Sequence, residues 1–344
     1  MRTEGVFLDS VGVFLPEWAS AEQAVADGLY DEEVWKVSGM TGTHVAGETP
    51  ALDMAVSAAR TALERSSLDP EAIECLVHSG IYYQGPEGSY PPGYILRELD
   101  LEDAASLYLR QGCNGMLTAL ETAVGRMTGA AGAEAVLLTT AQNFSSPSVN
   151  RWNDFGQTYV LSDGGAAVLV GESGFAELRS INSGTLPKLE RWHRGQEPLV
   201  PSGDAGAMGF NVNERFDWFN ENEMSLADTL ESLTEFGAGI MRRSLVDAGL
   251  NAADLARVIP INLDGRMVEF SVMAPLGLPM SRSSWDFGRT VGHAGAADPV
   301  ISLEHLLCTG ELSPGDHVLL TSQGPGWICS ACVLTIREVP DWAR

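Results

Sequence analysis

Cys113 stands between two glycines in RQGCNGM, residues 110–116, directly ahead of an apolar run with helical spacing. A thiol at a helix N-terminus meets partial positive charge and free N–H groups, which favour the nucleophilic thiolate. Gly112 permits a tight approach and Gly115 leaves room beside the sulfur. These flanks suit a nucleophile, the alternative being a buried cysteine on a core helix. A thiolate nucleophile needs a base or proton donor. Of the six histidines, His293 is set apart by its surroundings, GRTVGHAGAAD, whose glycines let a substrate approach. His305 and His317 fall at or near ends of regular elements, His44 and His193 in polar loops, and His78 at a strand end. Asp298 lies five residues beyond His293. Followed by Pro299, it reads as a helix N-cap with proline in the first turn, or as a carboxylate folding back to orient the imidazole.

The elements that must position these groups alternate between strand-like and helix-like character, which indicates an α/β architecture. Strand character is read at 5–16, 74–80, 105–112, 133–142 and 164–173, with 74–80 and 105–112 as short buried strands. Helical spacing runs over 52–67 and 113–129. The second half repeats the theme, with strands at 175–184 and 256–264, helices at 229–250 and 298–310, and a closing strand pair over 316–336. ALERSSLDPEAIECLVHSG and SLVDAGLNAADLARVIPIN look like one motif used twice, a helix, a short break and a buried strand. They imply a duplication joined near residue 172, with one half over 1–172 carrying the cysteine and another over 173–344 carrying the histidine. The stretch 186–225 interrupts the pattern as a long loop or an excursion over the site.

Composition narrows the function. The formal charge of −25 and the pI near 4.4 argue against nucleic acid and anionic membrane surfaces. Apolar runs are strand-sized, and the N-terminus has no apolar core of signal-peptide length, so a cytoplasmic protein is expected. The five cysteines are scattered, and CSAC at 329–332 lies in a strand-like stretch where positions three apart face opposite ways. Neither a disulfide framework nor a metal site is expected, and no cofactor.

DEEVWKVSGMTGTHVA, QGCNGMLTALETA, LSDGGAAVLVG at 161–171 and GDHVLLTSQGPGWICSACVL together resemble the ketoacyl-ACP synthase III enzymes of the thiolase superfamily, in order and spacing through almost the whole chain. The resemblance implies a five-layered αβαβα fold of two duplicated halves, a homodimer, and Cys113 as the acyl-accepting cysteine. The donor would be an acyl thioester on the phosphopantetheine of an acyl carrier protein or of coenzyme A. The condensing members carry a Pro-His-Gln-Ala-Asn motif whose histidine helps decarboxylate malonyl thioester; here the strand reads VIPINLDGR, with Ile261 after Pro260. The family's catalytic asparagine falls on His293. The family's Gly-Gly-Gly oxyanion loop reads GPG, so the backbone donors would be Cys113 with Gly324 or Gly326, because Pro325 has no N–H. By position, Trp35, Lys36, Asn262 and Arg266 would contact substrate, and Arg266, Arg242 and Arg243 could form a carrier-contacting patch or be plain surface arginines.

A Cys–His pair with Asp298 as third member suits acyl transfer to a hydroxyl or amine of a small-molecule acceptor, as in the synthase III-like acyltransferases of antibiotic pathways. Two alternatives stand beside it: a priming condensing synthase using Asn262 in place of the lost histidine, and a non-catalytic partner subunit that binds a carrier. The aromatics Tyr82, Tyr83, Tyr90, Trp152, Phe155, Trp192, Trp218 and Phe219 would suit an aryl acyl group or a stacking acceptor, or serve only loop packing.

Overall fold

The computed structural model describes residues 1–82, 84–86, 88–145, 149–153, 158–199 and 212–344. The strands are β1 (Phe7–Phe14), β2 (Glu17–Ser20), β3 (Gly42–Val45), β4 (Ile73–Ser79), β5 (Ala105–Leu109), β6 (Ala135–Gln142), β7 (Gly164–Gly171), β8 (Ala176–Thr185), β9 (Leu255–Ile259), β10 (His317–Gly324) and β11 (Ile328–Ile336). Six helices frame the layers and the site: α1 (Glu32–Ser38), α2 (Ala51–Arg65), α3 (Gly115–Thr128), α4 (Leu226–Ala248), α5 (Trp285–Val291) and α6 (Asp298–Cys308).

Nine strands run in the order β5-β4-β6-β7-β1-β8-β11-β10-β9, while β2 and β3 pair separately. One pairing scheme occurs twice. β4 is parallel to β6, which is antiparallel to β7, which is antiparallel to β1. Likewise β9 is parallel to β10, which is antiparallel to β11, which is antiparallel to β8. The 3₁₀ turns Pro70–Ala72 and Ala252–Asp254 lead into the corresponding strands β4 and β9. The two strand sets meet where β1 touches β8, through Phe7 with Glu177 and Leu8 with Ala176.

Three apolar cores separate the layers. On one outer face, α2 packs Met54, Ala55, Ala58 and Ala62 against Leu76, Leu137 and Leu169 of the first strand set. On the opposite outer face, α4 packs Ile240, Met241 and Leu245 against Val258, Leu319 and Val333 of the second. Between them, Leu117 and Leu120 of α3 and Val300, Ile301 and Leu303 of α6 fill a central layer against Val136, Val168, Leu178 and Leu320. This is the five-layered αβαβα thiolase-like arrangement. β6 and β7 are buried along their whole length because both faces are covered, hence their unbroken apolar runs.

Two expectations need correction. The stretch 105–112 is not a buried strand: β5 ends at Leu109, lies at the sheet edge and alternates exposed and half-buried residues. The stretch 256–264 is a strand only to Ile259, after which the chain turns away. Within β11, Cys329 faces the outer core and Cys332 the central one. Burial pushes both thiols up to about 12, so CSAC is inert packing.

Candidate active site

After β5, residues 110–111 lead into a 3₁₀ turn over Gly112–Asn114 that runs straight into α3. Cys113 therefore sits in the first turn of a helical segment whose N-terminus favours negative charge. The turn is pinned from the second strand set: Ser322 Oγ donates to the Cys113 carbonyl at 2.8 Å, and Asn114 Nδ2 donates to Ser330 Oγ at 2.8 Å. Gly112 has φ +56°, and a Cβ there would lie 2.3 Å from Pro325 Cδ. Gly115 does not clear space for the sulfur; a Cβ at that position would meet Ser79 Oγ of β4 at 2.7 Å. Both glycines are close-packing positions.

His293 follows α5, where Gly292 with φ +80° reverses the chain. Its N–H donates to the Val160 carbonyl at 2.7 Å and its carbonyl accepts the Ser162 N–H at 2.9 Å, which fixes the backbone. The ring is 2% exposed. Nε2 lies 2.9 Å from Cys113 Sγ and Nδ1 lies 2.5 Å from Asp298 Oδ2. Since the carboxylate only accepts, Nδ1 carries a proton and Nε2 faces the sulfur.

Asp298 is fully buried and opens α6. It makes no side-chain cap bond on that helix; Ala297 holds the cap position. Its carboxylate turns back instead, Oδ2 also accepting the Asn262 N–H at 2.8 Å and Oδ1 the Ala294 N–H at 2.7 Å. The His293 pKa is raised well above its ordinary value. Burial by itself works to lower it, but negative charge on Cys113 and Asp298 outweighs that.

These groups open onto a cavity of about 1300 Å³ whose walls include Gly324, Pro325 and Gly326, beside Cys113. Tyr159 packs its ring 5.1 Å from that of His293, and burial together with the Cys113 charge raises its hydroxyl pKa. Parts of the 186–225 stretch also wall the cavity. His193 lies not in a polar loop but in the helix Glu190–Arg194, its buried ring stacked 6.3 Å from Trp327 and pushed down to about 4 by burial. His44 likewise belongs to a strand, β3, and bonds the Pro16 carbonyl.

The residues expected to contact substrate through family position do not line this cavity. Trp35, on α1, packs into a peripheral core and its indole N–H donates to the Met40 carbonyl. Lys36 pairs with Glu32 at 2.7 Å in solvent. Arg266 pairs with the buried Asp264 at 2.8 Å, because Asp264 caps the turn that carries it. Arg243 donates to the Ser183 carbonyl beside a separate groove with Lys188 and Phe236. Asn262 is buried with Nδ2 donating to the Gly292 carbonyl at 2.8 Å, so its side chain is spent inside the fold. Its contribution is the backbone N–H that holds Asp298.

Of the aromatics read as acyl-site candidates, Tyr82 lines the cavity, whereas Trp152 and Phe219 are core and Tyr90 donates to the Ser106 carbonyl. Trp192 stacks on Phe216 and Trp218 lies under Arg191. Tyr83 and Phe155 lie outside the described residues. Phe144, Tyr159, Trp327 and Gln142 also line the cavity and were not picked out in sequence. Gln142, an amide ending the fully buried run AVLLTTA, was the one available signal. Among the described residues no cluster of three or more His, Cys, Asp or Glu could hold a metal ion, and no helix is long and apolar enough to cross a membrane.

The family model described as 3-oxoacyl-[acyl-carrier-protein (ACP)] synthase III matches residues 108–185, and its C-terminal counterpart matches 245–336. A β-ketoacyl-[acyl-carrier-protein] synthase III of Streptomyces coelicolor is 28% identical over 97% of this chain and 98% of its own length. The acetoacetyl-CoA synthase NphT7 of a Streptomyces species is 24% identical over 94% and 96%. The solved structure of ChlB3, titled an acyltransferase, superposes with a TM-score of 0.90 at 36% identity, covering 98% of this chain and 99% of its own. A Pseudomonas aeruginosa synthase III shares the fold at a TM-score of 0.79 and 21% identity. The chain belongs to the ketoacyl-ACP synthase III-like enzymes of the thiolase superfamily.

Proposed function

We propose that this protein is an acyltransferase that passes an acyl group from a carrier thioester through Cys113 to a hydroxyl or amine, without forming a carbon–carbon bond. The observation that carries this reading is the relay Cys113 Sγ, His293 Nε2, His293 Nδ1, Asp298 Oδ2, at 2.9 and 2.5 Å. In condensing relatives a histidine and an asparagine face the malonyl donor together. Here Ile261 is an apolar core residue and Asn262 is turned into the fold.

The Cys113 thiolate attacks the thioester carbonyl of an acyl group carried on phosphopantetheine, of either a carrier protein or coenzyme A. The carbonyl electrons collect on oxygen, where the Cys113 N–H with that of Gly324 or Gly326 supplies donors, Pro325 having none. The tetrahedral adduct collapses, the pantetheine thiolate leaves, and the His293 imidazolium gives it the proton. His293, now neutral, takes a proton from the acceptor hydroxyl or amine as it attacks the acyl-enzyme. The Cys113 thiolate departs and regains its ion pair with the protonated ring. Asp298 holds the ring in the required tautomer throughout.

Intact mass after mixing with a panel of acyl thioesters tests the reading. Wild type is expected to gain one acyl mass, Cys113→Ala none, and His293→Ala to hold the acyl group without passing it on. Carbon dioxide release from a malonyl thioester with chain extension would instead establish a condensing synthase. No adduct from any thioester would favour a carrier-binding subunit.

A further inference from the structure

One arm of the cavity is more polar than an alkyl chain requires. Gln142 ends β6 and is 1% exposed, yet it lines the cavity. Its Oε1 accepts the Ile81 N–H at 3.3 Å, which fixes the amide so that Nε2 points away from that contact. Among the described residues that Nε2 has no hydrogen-bond partner. Tyr82 lines the same cavity, and its hydroxyl is likewise buried without a partner among the described residues.

Both groups are held in place. Tyr108 donates its hydroxyl to the Tyr82 carbonyl at 2.7 Å, and the Tyr82 ring meets Phe144 edge-on at 5.9 Å. Two residues on, Gln84 is anchored by His78 at 2.8 Å and by the Ala141 carbonyl. The Gln142 stem packs against Gly295, where a Cβ would lie 2.9 Å from Gln142 Cγ; Gly295 is two residues from His293. An orphaned buried donor is costly, so two on one wall beside the reacting groups mark a place for a ligand acceptor.

We propose that this arm, formed by Tyr82 and Gln142, selects acyl groups bearing a neutral oxygen, a hydroxyl or ketone, beyond the thioester carbonyl. The proposal rests on the acyltransferase reading of the same site. An amide and a phenol are uncharged donors; a carboxylate, with its larger desolvation cost, needs a charged partner to enter such a site. The same chemistry could arrive on a hydroxyaryl ring or on a hydroxylated alkyl chain, and the probes below separate the two.

Binding is measured on Cys113→Ala protein, which cannot be acylated, so that selectivity is read apart from transfer. N-Acetylcysteamine thioesters are titrated in pairs: 2-hydroxybenzoyl against benzoyl, and 3-hydroxybutyryl against butyryl. The oxygenated member of at least one pair is expected to bind about tenfold tighter, the scale of one or two neutral hydrogen bonds. The pair showing the difference names the source. Adding Gln142→Leu or Tyr82→Phe should remove most of the preference and leave the plain member within about twofold. Equal affinities in both pairs, no binding at all, or variants that weaken both members alike would overturn the proposal. Selectivity retained alongside failure of wild-type protein to acylate Cys113 would count against the acyltransferase reading alone.

Discussion

Asp298 shows how one buried carboxylate can serve both backbone and imidazole. Its two oxygens accept the Asn262 and Ala294 N–H groups as well as His293 Nδ1, so position and charge are fixed together. Asp298→Asn keeps the shape but loses the charge and one acceptor. The carboxylate helps raise the His293 pKa, so its removal lowers that pKa. The limb of the rate–pH profile that belongs to His293 should move to lower pH, and transfer should fall by about 10²-fold or more. A profile recorded for both proteins decides it; an unmoved limb would show that Asp298 only builds the fold.

At the level of elements, the site depends on three segments from distant parts of the chain arriving together. The 3₁₀ turn before α3 brings Cys113, the reversal after α5 brings His293, and the β10–β11 hairpin brings the 324–326 backbone. The closest fit is Gly112 against Pro325. A side chain at Gly112 would both clash with the proline ring and occupy left-handed backbone at φ +56°. Gly112→Ala should cost about 2–4 kcal/mol from strain and overpacking combined. Displacement of Cys113 relative to His293 should slow acyl-enzyme formation by more than the loss of folded protein accounts for. Thermal melting and single-turnover acylation on the same samples check this, and unchanged acylation would show that the hairpin does not set the sulfur.

Across the whole molecule, buried histidines set the response to acid. His78 and His193 are each pushed down to about 4 by burial, from an ordinary value near 6.5. Both are neutral in the folded state, so unfolding takes up protons wherever the pH lies below the unfolded value. The stability they permit is complete above pH 6.5 and lost as pH falls towards 4, by about 3 kcal/mol per group. His293 has the opposite sign: its raised pKa gives stability that is present below 6.5 and fades as pH rises through the folded value. Denaturant midpoints at pH 7, 5.5 and 4.5 should decline for wild type and less steeply for His78→Gln. Parallel declines would mean that His78 is not titrating against the fold.

The amino-acid sequence by itself determined the order of elements, because continuous apolar runs and helical spacing report burial on two faces or one. It also marked Cys113 and His293, since glycine flanks at a turn are local information, and the family motifs carried the layered architecture. It left Asp298 between a cap and a partner for His293, because the choice depends on where the Ala294 and Asn262 N–H groups arrive from elsewhere in the fold. Trp35, Lys36, Asn262 and Arg266 followed family position rather than local chemistry, and packing and pairing at this chain's own residues turned each away from the cavity. Tyr82 was legible as a candidate aromatic and Gln142 as a polar end to β6, but their unpartnered donors were beyond reach. A donor is orphaned only by the arrangement of its neighbours in space, and that was decided by the tertiary structure.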